Sequence, residues 1–154
     1  MKYLKYGTSA LVLVIALLVL LAPIGPLPGI FIGGSAAAAP ADWGDTSGID
    51  EVRLRVEGTV PRVVIIWVVQ QENELYVIGA NESGWVSRLG QGGPVNLRIG
   101  DTTYALSASV VTQNQLPIVE AYQNKYRSDY PDIVGGMGAP QDMLAGVTIF
   151  QLSR

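Results

Sequence analysis

From Asp50 onward, apolar positions recur every second residue. Val52, Leu54 and Val56 alternate with Arg53, Arg55 and Glu57, which predicts a strand with one core face and one wet face. Gly58-Thr59-Val60-Pro61 turns the chain. Residues 63–69, VVIIWVV, are a continuous β-branched run with one Trp, the pattern of a central strand covered on both faces. Polar Gln71-Glu72-Asn73 then leads into residues 75–80, LYVIGA, giving a hairpin. The alternation breaks over residues 81–93, NESGWVSRLGQGG, a polar, glycine-bounded stretch with room for one or two helical turns around Trp85, Arg88 and Leu89. It resumes at Val95, Leu97 and Ile99, and Gly100-Asp101 supplies a tight turn into Tyr104, Leu106, Ala108 and Val110.

After this second hairpin the period changes to that of a helix. Ile118, Val119, Tyr122 and Tyr126 recur at helical spacing, with Asn114 placed to cap, Pro117 in the first turn and Tyr130-Pro131 as the stop. Gly135 to Pro140 reads as loop and residues 147–152 as a last strand. About six antiparallel strands joined by short turns, with one or two packed helices, predict a mainly β fold, a small closed or split barrel rather than an open sheet with exposed edges.

The N-terminal third has a different texture. Residues 10–22, ALVLVIALLVLLA, are uninterrupted by polar groups and closed by Pro23. A helix from Leu4 to Ala22 is about 28 Å long, close to the ~30 Å hydrocarbon thickness, so it predicts one transmembrane helix. Beyond it, IGPLPGIFIGG stays apolar but is broken by Pro26, Pro28 and Gly29, as irregular chain at a membrane surface would be. Ala36-Ala37-Ala38 offers the rival reading, a signal peptide cleaved there. The expected organisation is an anchor or signal segment over 1–34, a flexible linker over 35–49 and a barrel domain over 50–154. Lys2 and Lys5 place the N-terminus inside the cytoplasmic membrane and the domain on its outer side, with export after cleavage as the alternative.

Composition removes whole classes of chemistry. The chain has no Cys and no His, which excludes thiol nucleophiles, disulfides, imidazole acid-base catalysis and Cys/His metal sites, and no metal is expected. Lys2 and Lys5 are the only charged side chains before Asp42, so 8 of the 10 basic residues and all 13 acidic ones follow, leaving that part at −5. An acidic domain without a basic stripe does not bind nucleic acid.

The order strand, hairpin, Trp-bearing crossover, Gly-turned hairpin, Tyr-rich helix and final strand resembles the split β-barrel flavin and deazaflavin oxidoreductases, over roughly Asp50 to Arg154. Its most specific points are Leu75-Tyr76-Val77, then Trp85-Val86-Ser87-Arg88-Leu89 where that family typically shows Trp-Tyr-x-Asn-Leu, and Val95-Asn96-Leu97-Arg98-Ile99-Gly100. Before the second strand the family commonly carries a basic residue followed by Ser/Thr-Gly at the phosphate. Here that place reads Gly58-Thr59-Val60-Pro61-Arg62, with Arg62 as the remaining cation. The resemblance implies FMN or a deazaflavin held by Arg62, Ser83, Trp85 and Arg88, a small lipid-soluble acceptor such as a quinone, and a homodimer. A cofactor-free ligand-binding module and a structural subunit of a membrane complex are the alternatives. Read from the residues alone, Arg62 and Arg88 are equally surface charges, Trp85 a barrel plug, Trp67 core, and Tyr122 and Tyr126 packing toward the barrel.

Overall fold

The computed structural model describes residues 11–15, 23 and 27–154. Six strands, β2 (Glu51–Val56), β3 (Arg62–Gln71), β4 (Glu74–Ala80), β5 (Gly92–Ile99), β6 (Thr102–Val110) and β7 (Val147–Ser153), run in the order β6-β5-β2-β3-β4-β7, and β7 returns to β6. Every one of these pairings is antiparallel, so the sheet closes on itself. The expected six-stranded antiparallel barrel is the observed one.

Alternation decides which side chains fill it. Val52, Leu54, Val56, Val68, Leu75, Val77, Val95, Leu97, Leu106, Ala108, Phe150 and Leu152 form the interior. Helix α1 (Gly84–Leu89) adds Trp85, Val86 and Leu89 to that same cluster, so the stretch that breaks the alternation is a plug. A second core lies outside the barrel, where Val69, Ile78 and Ile149 meet Ile118, Val119, Tyr122 and Tyr126 of helix α2 (Gln115–Tyr126) and Val134 of α3 (Pro131–Gly136). Residues 63–69 lie in a strand that continues to Gln71; Val63, Val68 and Val69 are buried and residues 64–67 half-buried, so the expected cover on both faces is complete only at the strand's second half.

Tyr126 joins the two cores. The β2–β3 ladder ends at the Glu51–Trp67 rung, and Val68 begins the pairing with β4. The next rung is supplied by the Tyr126 phenol, which accepts from the Val68 N–H at 3.0 Å and donates to the Asp50 carbonyl at 2.7 Å. Its ring stacks on Trp67 with centroids 4.1 Å apart and planes 12° from parallel.

Several expectations are corrected. Residues 35–49 are not a flexible linker. They carry strand β1 (Ser35–Ala37), parallel to β6 at Thr102–Tyr104 on the edge that β7 takes further along, and then wrap the barrel. Trp43 meets Tyr104 edge-on at 5.2 Å, and buried Thr46 donates to Gln70 Oε1 at 2.8 Å. The Lys125 ammonium gathers the carbonyls of Thr46, Ile49 and Val68 at 3.1, 2.7 and 2.8 Å. Asn114 does not cap α2: it sits in the left-handed region at φ 52° and its side chain makes no cap bond. Gly135 and Gly136 close α3 rather than lying in a loop. The expected span Leu4–Ala22 lies mostly outside the described residues. Among those described, residues 11–15 are helical with exposed side chains, and no helix is long and apolar enough to cross a membrane.

Candidate functional site

The first half of β3 has an open edge. Strand β2 covers one side of Arg62–Trp67, but β4 begins pairing only at Val68. Residues 27–29 fill part of the gap, Gly29 exchanging two backbone hydrogen bonds with Val63 at 2.9 and 2.8 Å. Between this segment, β3 and α1 lies a pocket of about 220 Å³, with Leu27, Pro28, Val64 and Ile66 as apolar wall and Arg62, Ser83 and Gly84 as polar wall.

Arg62 is the cation of the pocket. Its guanidinium rests against Gly84, where a Cβ would come within 3.0 Å of Nη1. Its Nε is buried and has no hydrogen-bond partner, and no carboxylate pairs with the side chain. A guanidinium without a carboxylate partner presents its outer N–H groups to an anionic ligand. Ser83 lines the same pocket, its hydroxyl donating to the Ala80 carbonyl at 2.9 Å, which leaves the oxygen free to accept.

The other two expected site residues separate from this pair. Trp85 touches the pocket but is only 6% exposed, because its ring packs over Gly79 and against Phe150 at 5.6 Å. A Cβ on Gly79 would collide with that ring. Arg88 is not a pocket residue. It turns to the β2–β3 connection, where Nη1 donates to the Val60 carbonyl at 2.6 Å over Gly58, whose bare Cα makes room for the guanidinium. Of the four expected site residues, Arg62, Ser83 and Trp85 line one pocket and Arg88 does not, so the expected convergence of Ser83, Trp85 and Arg88 on one helix face is not observed; Leu27, Pro28 and Gly84 are not among the expected residues. The glycine was visible in Ser83-Gly84-Trp85, whereas the return of residues 27–29 to β3 leaves no local signal.

A phosphate- or carboxylate-sized head fits beside Arg62. An isoalloxazine does not fit within one chain: the pocket is smaller than the roughly 300 Å³ at which sites for drug-sized ligands begin, and the Trp85 ring is committed to the barrel interior. Two of the larger cavities have other characters. One of about 370 Å³ is lined by Asp45, Thr46, Gln70 and Lys125, but its ammonium is already occupied by three carbonyls, and burial pulls that ammonium below the ordinary lysine range while Asp50 and Asp45 oppose. The other, about 390 Å³, is mainly apolar, with Ile78, Tyr122, Met137, Met143 and Val147 in its wall.

No protein-family model matches the chain, and neither does any curated protein sequence. Solved structures do. The haem-storage protein HutZ from Vibrio cholerae aligns with a TM-score of 0.51 at 16% identity, over 68% of this chain and 81% of its own. A conserved hypothetical protein from Mycobacterium tuberculosis aligns with 0.51 at 15%, over 68% and 72%. A NimC/NimA family protein from Clostridium acetobutylicum aligns with 0.50 at 17%, over 68% and 73%. At such identities the likeness is one of fold, the split β-barrel.

Proposed function

We propose that this chain is a membrane-anchored split-barrel binding module that takes a small ligand with an anionic head at Arg62 and an apolar body along Leu27, Pro28 and Ile66. The observation that carries this reading is the Arg62 guanidinium, without an ion pair among the described residues, in a pocket with no carboxylate in its wall. Retention of the N-terminal segment is supported by how the following residues are used. Cleavage after Ala38 would remove β1 and the Gly29–Val63 bridge from the barrel. The two N-terminal lysines then keep that end in the cytoplasm and the barrel outside. Alkaline extraction should leave the full chain in the membrane pellet, and a mature N-terminus near Ala39 would refute the anchor.

Titration calorimetry on the detergent-purified full chain tests the site, with inorganic phosphate and a long-chain alkyl phosphate as probes. The alkyl phosphate should bind more tightly, and Arg62→Ala should weaken it by about 1.5–3 kcal/mol, the range for hydrogen bonds to charged groups. Equal binding by wild type and Arg62→Ala would remove the reading.

A flavin- or deazaflavin-dependent reductase acting on a quinone-like acceptor is the second reading, favoured by the order of elements and by the fold of the NimC/NimA protein. When bound, such a cofactor would supply hydride transfer. Arg62 and Ser83 could hold its phosphate. The missing wall for its ring would have to come from a second copy, as fold analogy suggests. A visible or near-ultraviolet chromophore co-purifying with the chain, together with a dimer by light scattering, would establish this reading over the first. The haem that HutZ stores has a harder passage here, because without His or Cys the axial ligand would have to be Tyr or Met.

A further inference from the structure

Large apolar side chains that remain exposed are few between residues 27 and 154, and they are not scattered. Leu27, Ile30, Phe31 and Val60 are 56, 41, 67 and 54% exposed, and the fifth, Ile133, stands apart on α3. Leu27 and Val60 lie at the Arg62 end of β3, and Ile30 and Phe31 follow directly on the Gly29 bridge. Leu27 borders the Arg62 pocket, Gly29 is bonded to Val63, and Val60 is held by Arg88. The apolar tips are also rigidly presented. After the Gly29 bridge, the Ile32 carbonyl accepts from Arg98 Nη1 at 2.9 Å and the Gly33 carbonyl from Thr103 Oγ1 at 2.7 Å. Such a cluster on an otherwise acidic domain marks an interaction surface.

Chain length limits what that surface can meet. Leu27 follows Ala22, the last residue of the apolar run, by five residues, so an extended connection reaches at most about 17 Å. The headgroup layer on each side of the hydrocarbon is itself roughly 5–8 Å deep. Charge agrees with position, since Arg62 and Arg88 flank the apolar tips and neither has a carboxylate partner, in a region whose net charge is −5 with both of them counted.

We infer that this end of the barrel lies on the bilayer, with Leu27, Ile30, Phe31 and Val60 in the interfacial layer and the two guanidinium groups at anionic lipid phosphates, so that the Arg62 pocket opens toward lipid and draws its ligand from the membrane phase. This rests on the membrane-anchored reading above. Aliphatic and aromatic side chains beside arginine are the chemistry of interfacial attachment, and a pocket with an apolar wall and one cation at that depth suits an acidic, lipid-borne amphiphile.

The absence of Cys allows a direct test. Single Val60→Cys, Phe31→Cys and Ile133→Cys variants of the full chain are labelled with a polarity-sensitive fluorophore and reconstituted into phosphatidylcholine/phosphatidylglycerol vesicles containing spin-labelled quencher lipid. Probes at positions 31 and 60 should be blue-shifted and quenched several-fold more strongly than the probe at 133, and Arg88→Glu should reduce quenching at 60. If all three probes report water while the protein resists alkaline extraction, the docking is wrong and the anchor stands. If the protein is extracted, the anchor reading fails and the docking with it. A blue shift at 60 without lipid quenching, lost as the protein is diluted in the vesicles, would assign the surface to a second copy of the chain and overturn the inference.

Discussion

At the scale of single residues, the barrel depends on a few contacts that no propensity describes. The Tyr126 phenol occupies a ladder position between Asp50 and Val68, so Tyr126→Phe keeps the stack on Trp67 but leaves a buried N–H unsatisfied. Denaturant unfolding should show a loss of about 1–3 kcal/mol; an unchanged midpoint would mean that water replaces the phenol. Gly79 is a steric requirement, since its α-face is where Trp85 and Val86 lie. Gly79→Ala should cost about 1–3 kcal/mol through overpacking, and because the plug also forms one pocket wall, it should weaken ligand binding in the same variant. Periodicity correctly placed Tyr122 and Tyr126 toward the barrel. It could not reveal that Tyr126 completes a sheet, because that role arises from where β2 stops.

At the scale of elements, alternation located β2, β5 and β6, the β-branched run located β3, and β4 and β7 were legible as short apolar runs, β4 behind the polar turn Gln71-Glu72-Asn73. Strand β1 has no such pattern. Ser35, Ala36 and Ala37 are small and exposed, and the strand exists through backbone pairing to β6 and the Ser35 N–H to Asp101 carbonyl bond of 2.8 Å. The same blindness hid the wrap of residues 38–50, whose attachments are long-range: Asn73 Nδ2 to the Ala41 carbonyl at 2.8 Å, Arg154 to Pro40, and the three carbonyls around Lys125. Lys125 is the pivot of this wrap, so Lys125→Met should leave α2 packed through Tyr122 and Tyr126 while freeing residues 46–50. Hydrogen exchange should rise at Ile49, whose N–H otherwise bonds to the Thr46 carbonyl at 3.0 Å, with little change in β3–β4. Uniform acceleration across the barrel would show instead that the wrap and the barrel open as one unit.

At the scale of the whole molecule, two apolar cores share one sheet, and the outer one holds Tyr122 and Tyr126 among its buried residues, with Tyr76 and Tyr130 packed against it. Burial pushes the Tyr122 phenol well above the ordinary tyrosine range, and burial does the same for Tyr126 against the opposing bond to Val68. Tyr130 is raised chiefly by the neighbouring Asp50 carboxylate. Tyr122 and Tyr126 stay protonated in the folded chain and ionise near pH ~10 once unfolded. Above that pH the unfolded state binds fewer protons, so stability falls as pH rises, and the outer core is the part that fails. Lys125 acts in the opposite sense, since its lowered pKa makes the unfolded chain the better proton binder below the ordinary lysine range. The several tyrosines outweigh it only above that range. An alkaline titration should therefore be biphasic: half-buried Tyr76 and Tyr130 ionise first with the circular dichroism unchanged, and buried Tyr122 and Tyr126 ionise together with loss of structure. Tyr122→Phe should move the second step to higher pH, because it removes one of the protons that unfolding releases, whereas a single smooth ionisation without unfolding would show that water reaches the outer core.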